Sequence, residues 1–177
     1  MALIKPPEPV NYIAGLLLAS EDLLEPVCQA LEPVLGSVDQ VTALLPFGYT
    51  DYYEAEMGAV LRTYLAFKRE RSPEELASIK IATCELENHW RAGNGGRRVN
   101  IDPGYLSSSQ LVLASTKAFS HRIYLSQGIY AEVTLLFMQG SFQPLPWTYP
   151  DYKANIPLFN QWKIHFRKQK SKTGGES

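Results

Sequence analysis

Between residues 99 and 150 the chain carries four full charges: Asp102, Lys117, Arg122 and Glu132. Isolated charges in so apolar a stretch need partners or a ligand. Two of them fall on a β-hairpin whose pairing follows from the alternation of apolar residues. If Ser126-Gln127-Gly128 form a three-residue loop with the glycine left-handed, Leu125 pairs with Ile129, Tyr124 with Tyr130 and Ile123 with Ala131. A two-residue Gln127-Gly128 turn would instead set Leu125 against Tyr130, polar positions against apolar ones. The first register fits both strands, and it places Arg122 opposite Glu132 on a face shared with Tyr124, Tyr130 and Thr134.

Such a face supports two readings. As a cross-strand ion pair, Arg122 and Glu132 would contribute about 0.2–1 kcal/mol if exposed. As the floor of a polar cavity, Arg122 would grip a carboxylate or phosphate while Glu132 orients the guanidinium or serves as general base. His121 would be its catalytic companion, and Lys117 a further anion contact beside it.

Other residues could take part. On a helix starting near Leu76, Lys80 and Glu87 lie within about 40° of Leu76, inside the apolar stripe, and Glu85 lies opposite. A lysine there snorkels to the rim or faces a site on the sheet. Asp51, Glu54 and Glu56 fall within six residues, so that Asp51 and Glu56 could hold a hard cation such as magnesium. A solvated acidic tip is the plainer account. Gly93 to Arg98 could form a backbone nest for an anion, closed by Arg97 and Arg98. The glycines follow a helix, and no G-x-x-x-x-G-K-[ST] loop is present, which disfavours Walker-type nucleotide hydrolysis.

The elements that must position these groups follow from periodicity and caps. Val10 to Ala19 reads as a buried central strand. Ser20-Glu21-Asp22 opens a helix carrying Leu23, Val27, Leu31 and Val34, and Gly36 ends it. Val38 to Phe47 and Val60 to Phe67 are strands; in the second, Leu61, Thr63, Leu65 and Phe67 face one way and Arg62 and Tyr64 the other. Ser72-Pro73-Glu74-Glu75 has the pattern of a capping box, opening the helix of Leu76, Ile79, Thr83, Leu86 and Trp90. Arg98 to Asp102 resumes a strand, and Asp102-Pro103-Gly104 reads as a turn. Leu111 to Ser115, His121 to Leu125 and Ile129 to Phe137 are strands; Phe142 to Pro157 reads as irregular chain and Leu158 to Lys170 as a terminal helix. The expected fold is α+β. It has a mainly antiparallel sheet with a ferredoxin-like β-α-β-β-α-β start, extended by C-terminal β-hairpins. Helices are expected on one face, with a polar cavity on the other face or at its end.

The 177 residues, 45% hydrophobic and 20% charged, suit one soluble domain, with residues 168–177 as a basic, disordered tail. The longest apolar run is too short to span a bilayer and the N-terminus has no signal-peptide layout, so a cytoplasmic location is expected. Cys28 and Cys84 have no metal-ligand spacing and read as reduced thiols. The net charge of −1 divides unevenly. Residues 163–177 hold five basic residues against Glu176, and the rest of the chain holds 12 basic and 17 acidic residues. A nucleic-acid-binding body is therefore disfavoured.

Several strings carry a resemblance: E-M-G at 56–58, N-I-D-P-G-Y-L at 100–106, S-T-K at 115–117, H-R-I-Y-L at 121–125, G-I-Y-A-E-V-T-L at 128–135 and W-T-Y-P-D-Y at 147–152. Over residues 10–165 or so, the chain resembles an uncharacterised bacterial domain family of standalone proteins of about this length. Some of its members carry the label GTP-binding protein; this chain has neither a Walker lysine nor an N-K-x-D motif. The resemblance implies no set activity. The resemblance implies that the family's motif strings fall on Asp51, Glu56, Asn100, Asp102, Lys117, His121, Arg122, Glu132 and Asp151.

Two functions are expected from these observations. The first is a metabolite-binding protein or enzyme for a small anionic, phosphorylated or nucleotide-like ligand. Lys117, His121 and Arg122 would contact the anion, and Tyr124, Tyr130, Asn100, Asp102, Lys80, Glu87 and Arg98 would line the site. The second is a non-catalytic RNA-associated or protein-interaction module using the basic tail Trp162 to Lys172.

Overall fold

The computed structural model describes residues 3–50 and 53–173. In chain order its elements are β1 (Val10–Leu18), α1 (Leu24–Leu35), β2 (Val38–Val41), β3 (Leu45–Pro46), α2 (Glu54–Met57), β4 (Leu61–Arg71), α3 (Leu76–Glu87), β5 (Val99–Leu106), β6 (Gln110–Ser115), β7 (Arg122–Ser126), β8 (Ile129–Met138), β9 (Ser141–Pro144), α4 (Pro150–Ala154) and α5 (Ile156–Thr173). Among the described residues the nine strands form one open antiparallel sheet. Its order is β2-β4-β1-β5-β6-β8-β7, with β3 continuing the β2 edge along β4 and β9 pairing with β8. The fold is α+β.

β1 is buried at all its positions, as a strand without polar alternation requires. Its even residues, Tyr12, Ala14, Leu16 and Leu18, pack with Val27, Leu31 and Leu35 of α1 and Leu76 and Ile79 of α3. Ile13 points the other way, into a second core with Phe159, Trp162 and Phe166 of α5. The helices therefore cover both faces, where one was expected. The reason lies in β1 and β4: strands apolar on both sides leave a second face that must be buried, and the 3-4 spaced aromatics of α5 bury it.

The Ser72 capping box forms as the sequence indicates. Ser20 does not cap; its hydroxyl instead accepts from Arg98 at 3.3 Å. The stretch expected to be irregular contains β9 and α4. The last helix runs through Thr173, with Lys170 paired to Glu70 at 3.2 Å.

At the hairpin the expected pairs Arg122↔Glu132, Ile123↔Ala131 and Tyr124↔Tyr130 form. The loop differs. Gln127 and Gly128, both at positive φ, make a two-residue turn closed by Ser126↔Ile129, and a bulge between Tyr124 and Ser126 restores the register.

Candidate functional site

The site begins at a proline. Asp102-Pro103-Gly104, expected to turn, runs straight through β5. Antiparallel ladders alternate the direction of main-chain groups, so Pro103 shares the orientation of Ile101, away from β1 and toward β6. Proline has no N–H to offer β6. The β5–β6 ladder accordingly covers only Gly104↔Leu113, Tyr105↔Val112 and Leu106↔Leu111. Beyond it the strands part, and a cleft opens within the sheet.

Separation leaves Ile101 with an unpaired main-chain edge, and α3 supplies the missing partners. Glu87 accepts the Ile101 N–H at 2.7 Å and Lys80 donates to the Ile101 carbonyl at 2.7 Å. Both side chains are buried, which explains two charges within an apolar stripe: they replace a neighbouring strand. Burial pushes the Glu87 carboxyl above the usual carboxylate range, against the opposing pull of Lys80.

Across β1, the outward face of β4 contributes Arg62. Its guanidinium donates to Asp151 from Nε at 2.9 Å and from Nη2 at 2.5 Å, and Nη1 lies 3.7 Å from Asp102. Tyr64 donates to the same Asp151 oxygen at 2.9 Å, and its ring lies 4.8 Å from the guanidinium carbon. Two buried polar atoms here have no hydrogen-bond partner: Arg62 Nη1 and the Tyr152 hydroxyl. They converge above Gly15, where a Cβ would stand 3.1 Å from Nη1 and 2.6 Å from the hydroxyl. Only glycine leaves room for both.

The opposite wall comes from the hairpin. Glu132 is 1% exposed; it accepts from Arg122 Nε at 2.8 Å and from Thr134 at 3.1 Å, and lies 3.0 Å from His121 Nε2. Arg122 also donates to Ser115 at 2.9 Å, to the Lys117 carbonyl at 3.0 Å and to the Tyr149 hydroxyl at 2.7 Å. His121 stacks on Trp147 at 4.9 Å. Glu132 is thus the hub that holds Arg122 and His121, consistent with the orienting role.

Between these walls lies a cavity of about 470 Å³. Lys80, Glu87, Asn100, Asp102, Lys117, Arg122 and Glu132, all singled out from the sequence, line it together. His121 stands behind Glu132, outside the lining. Tyr124 and Tyr130 pair edge to face at 5.4 Å, with Tyr124 58% exposed, and neither lines the cavity. On the same face but two residues farther along the ladder than Arg122 and Glu132, they fall beyond the cavity wall. Arg98 is also outside, bound to Ser20.

Glu56, expected to hold magnesium with Asp51, and the glycine loop expected to form an anion nest have other partners. Both Glu56 oxygens accept from Arg97, at 2.9 and 2.8 Å, and these bonds depress the Glu56 carboxyl to about 2. Asp51 lies outside the described residues. Among the described residues no three His, Cys, Asp or Glu side chains are grouped to hold a metal. The glycine loop turns its amides inward: Gly95 N–H donates to Ala92 and Gly96 N–H to Asn94.

Sequence reasoning missed Arg62, Tyr152 and Tyr149 as site residues, and placed Arg97 in an anion nest instead. Arg62 had left a signal, a charge in the strand Leu61 to Phe67 that is otherwise apolar on both faces. Arg97 reaches Asn100 at 2.9 Å and closes one end of the wall.

Compared with known proteins, the chain matches the model of a domain of unknown function (DUF4416) over residues 8–166 and belongs to that family. No curated protein and no solved structure matches it.

Proposed function

We propose that this member of the DUF4416 family binds a small anionic metabolite in the cleft between β5 and β6, in the cytoplasm. The reading rests on one observation: Arg62, Lys80, Arg97, Lys117 and Arg122 converge on the lining of one cavity of about 470 Å³. Arginine and lysine side chains grouped around one cavity are the usual recognition groups for carboxylate and phosphate. Aromatic rings of Phe47, Tyr53, Tyr149 and Tyr152 line the same space and suit the carbon skeleton of an organic ligand.

The alternative of an RNA-binding tail has less support. Trp162 and Phe166 are 4% and 6% exposed, so the aromatics that would stack on bases are committed to the core. Lys163 donates to the Ser107 carbonyl at 3.2 Å.

Thermal shift against phosphate, nucleotides, sugar phosphates and carboxylic acids tests the proposal, run on the native chain, on Lys117→Ala and on a chain lacking residues 168–177. A shift that survives truncation and weakens in Lys117→Ala, whose exposed side chain lines the cavity, is expected. No shift with any compound overturns it, as does a shift abolished by the truncation alone.

A further inference from the structure

The cavity has a buried floor and an exposed mouth, and the two differ in chemistry. The aliphatic side chains of its lining, Leu17 and Leu113, lie on the floor at 1% and 4% exposure. At the mouth every exposed apolar side chain except Pro150 is aromatic: Tyr49 is 51% exposed, Phe119 57% and Tyr149 42%. Apolar side chains scattered over a surface need no explanation, whereas a group of them around a cavity marks a place where something binds.

Three connecting segments bring these rings to the two walls. On the Arg62 wall, between β3 and α2, the Tyr49 ring lies 5.6 Å from that of Phe47, which lies 5.7 Å from the Arg62 guanidinium carbon. On the Arg122 wall, the β6–β7 connection supplies Phe119 and the β9–α4 connection Tyr149. Arg122 fixes both: its guanidinium carbon lies 4.9 Å from the Phe119 ring and its Nη2 donates to the Tyr149 hydroxyl at 2.7 Å. These contacts hold the rings without covering them. Lys117, two residues before Phe119, is exposed and lines the same cavity. A flat π-system attracts aromatic walls by offset stacking and edge-to-face contact, beyond the area it buries; a saturated chain gains the area alone.

We infer that the cavity takes an aromatic anion, a flat unsaturated ring held at the mouth between Tyr49 and Phe119 with its carboxylate or phosphate on Lys117, in preference to a saturated anion of the same size and charge. This rests on the anion binding proposed above and adds the class of ligand: the cations demand the negative group, and the exposed rings demand the π-system.

Isothermal titration with two matched pairs tests this: benzoate against cyclohexanecarboxylate, and phenyl phosphate against cyclohexyl phosphate. Within each pair charge and size are alike and only the ring differs. The aromatic member is expected to bind about threefold to tenfold tighter, the factor that one or two aromatic contacts supply; the pair that shows it identifies the anionic group as carboxylate or phosphate. Phe119→Leu and Tyr49→Leu, both exposed positions, are expected to reduce the preference and leave the affinity for the saturated member unchanged, with circular dichroism showing the fold retained. A saturated member that binds as tightly as its aromatic counterpart in both pairs, or a preference unchanged in both variants, overturns the inference and leaves anion binding standing. Heat from none of the four, together with no shift in the wider panel, removes both. Should the variants not fold, the comparison on the native chain decides alone: equal affinities overturn the inference.

Discussion

The Ile101 N–H donates to the Glu87 carboxylate at 2.7 Å, so a helix side chain occupies the place of a neighbouring strand. With Lys80 on the Ile101 carbonyl, this keeps β5 satisfied where it leaves β6, and the cleft is stable because of it. Glu87→Ala would leave the buried Ile101 N–H without its acceptor and remove the carboxylate that stands 3.7 Å from Arg97. A loss of about 2–4 kcal/mol in urea unfolding is expected, with Glu87→Gln milder because the amide oxygen still accepts.

The same residue predicts a pH dependence. Burial raises the Glu87 carboxyl above its ordinary value of 4.5, so the folded chain binds this proton more tightly than the unfolded chain. Its contribution is fully present below 4.5 and is lost as pH rises through the folded value. Unfolding followed from pH 4.5 upward should show this negative slope in the native chain, and a flatter one in Glu87→Gln.

Glu56 should behave in the opposite sense. Hydrogen bonds from Arg97 hold its carboxyl at about 2, so its contribution is present above 4.5 and is lost as pH falls toward 2. The Arg97 and Glu56 side chains are 24% and 35% exposed, and solvent screening limits the effect to about 1 kcal/mol. Glu56→Gln should shift the acid limb of the unfolding profile slightly, and high salt should reproduce part of the shift.

Tyr152→Phe tests the state of a buried hydroxyl. Removing a buried hydroxyl that has no partner should leave the protein as stable or raise stability by about 1 kcal/mol. A variant that loses stability instead would show that the hydroxyl is bonded in solution.

Gly15→Ala should cost about 1–3 kcal/mol, because the new methyl would lie 2.6 Å from the Tyr152 hydroxyl. In the Tyr152→Phe background the cost should shrink. A double-mutant cycle measures the coupling directly, and additive values would mean that the methyl is accommodated some other way.

On the other wall, Glu132→Ala would strand Arg122, whose side chain is 4% exposed. A loss of about 3–5 kcal/mol is expected, the usual consequence of removing one member of a buried ion pair. Glu132→Gln should recover part of it, since Thr134 and one Arg122 contact can remain. Chemical denaturation of both variants checks the order.

Much of this was legible in the linear chain because it depends on neighbours a few residues apart. The capping box at Ser72, the pairing of Arg122 with Glu132 and the inward placement of Lys80 and Glu87 follow from the periods of strands and helices. Loop closure was less legible: a bulge and a two-residue turn yield the same upper register as a three-residue loop, and alternation alone cannot separate them.

What the sequence by itself determined is which side chains turn inward, since period and polarity act locally. Which inward groups meet was decided only by the tertiary structure. Pro103 reads as a turn until β1 is known to occupy its other side; it then becomes the point where β5 parts from β6. Arg62 and Asp151 lie 89 residues apart, and their contact exists because α4 and α5 return to cover a sheet apolar on both faces. Long-range contacts of this kind are set by burial of whole surfaces against one another, and spacing marks which face is buried but not what covers it.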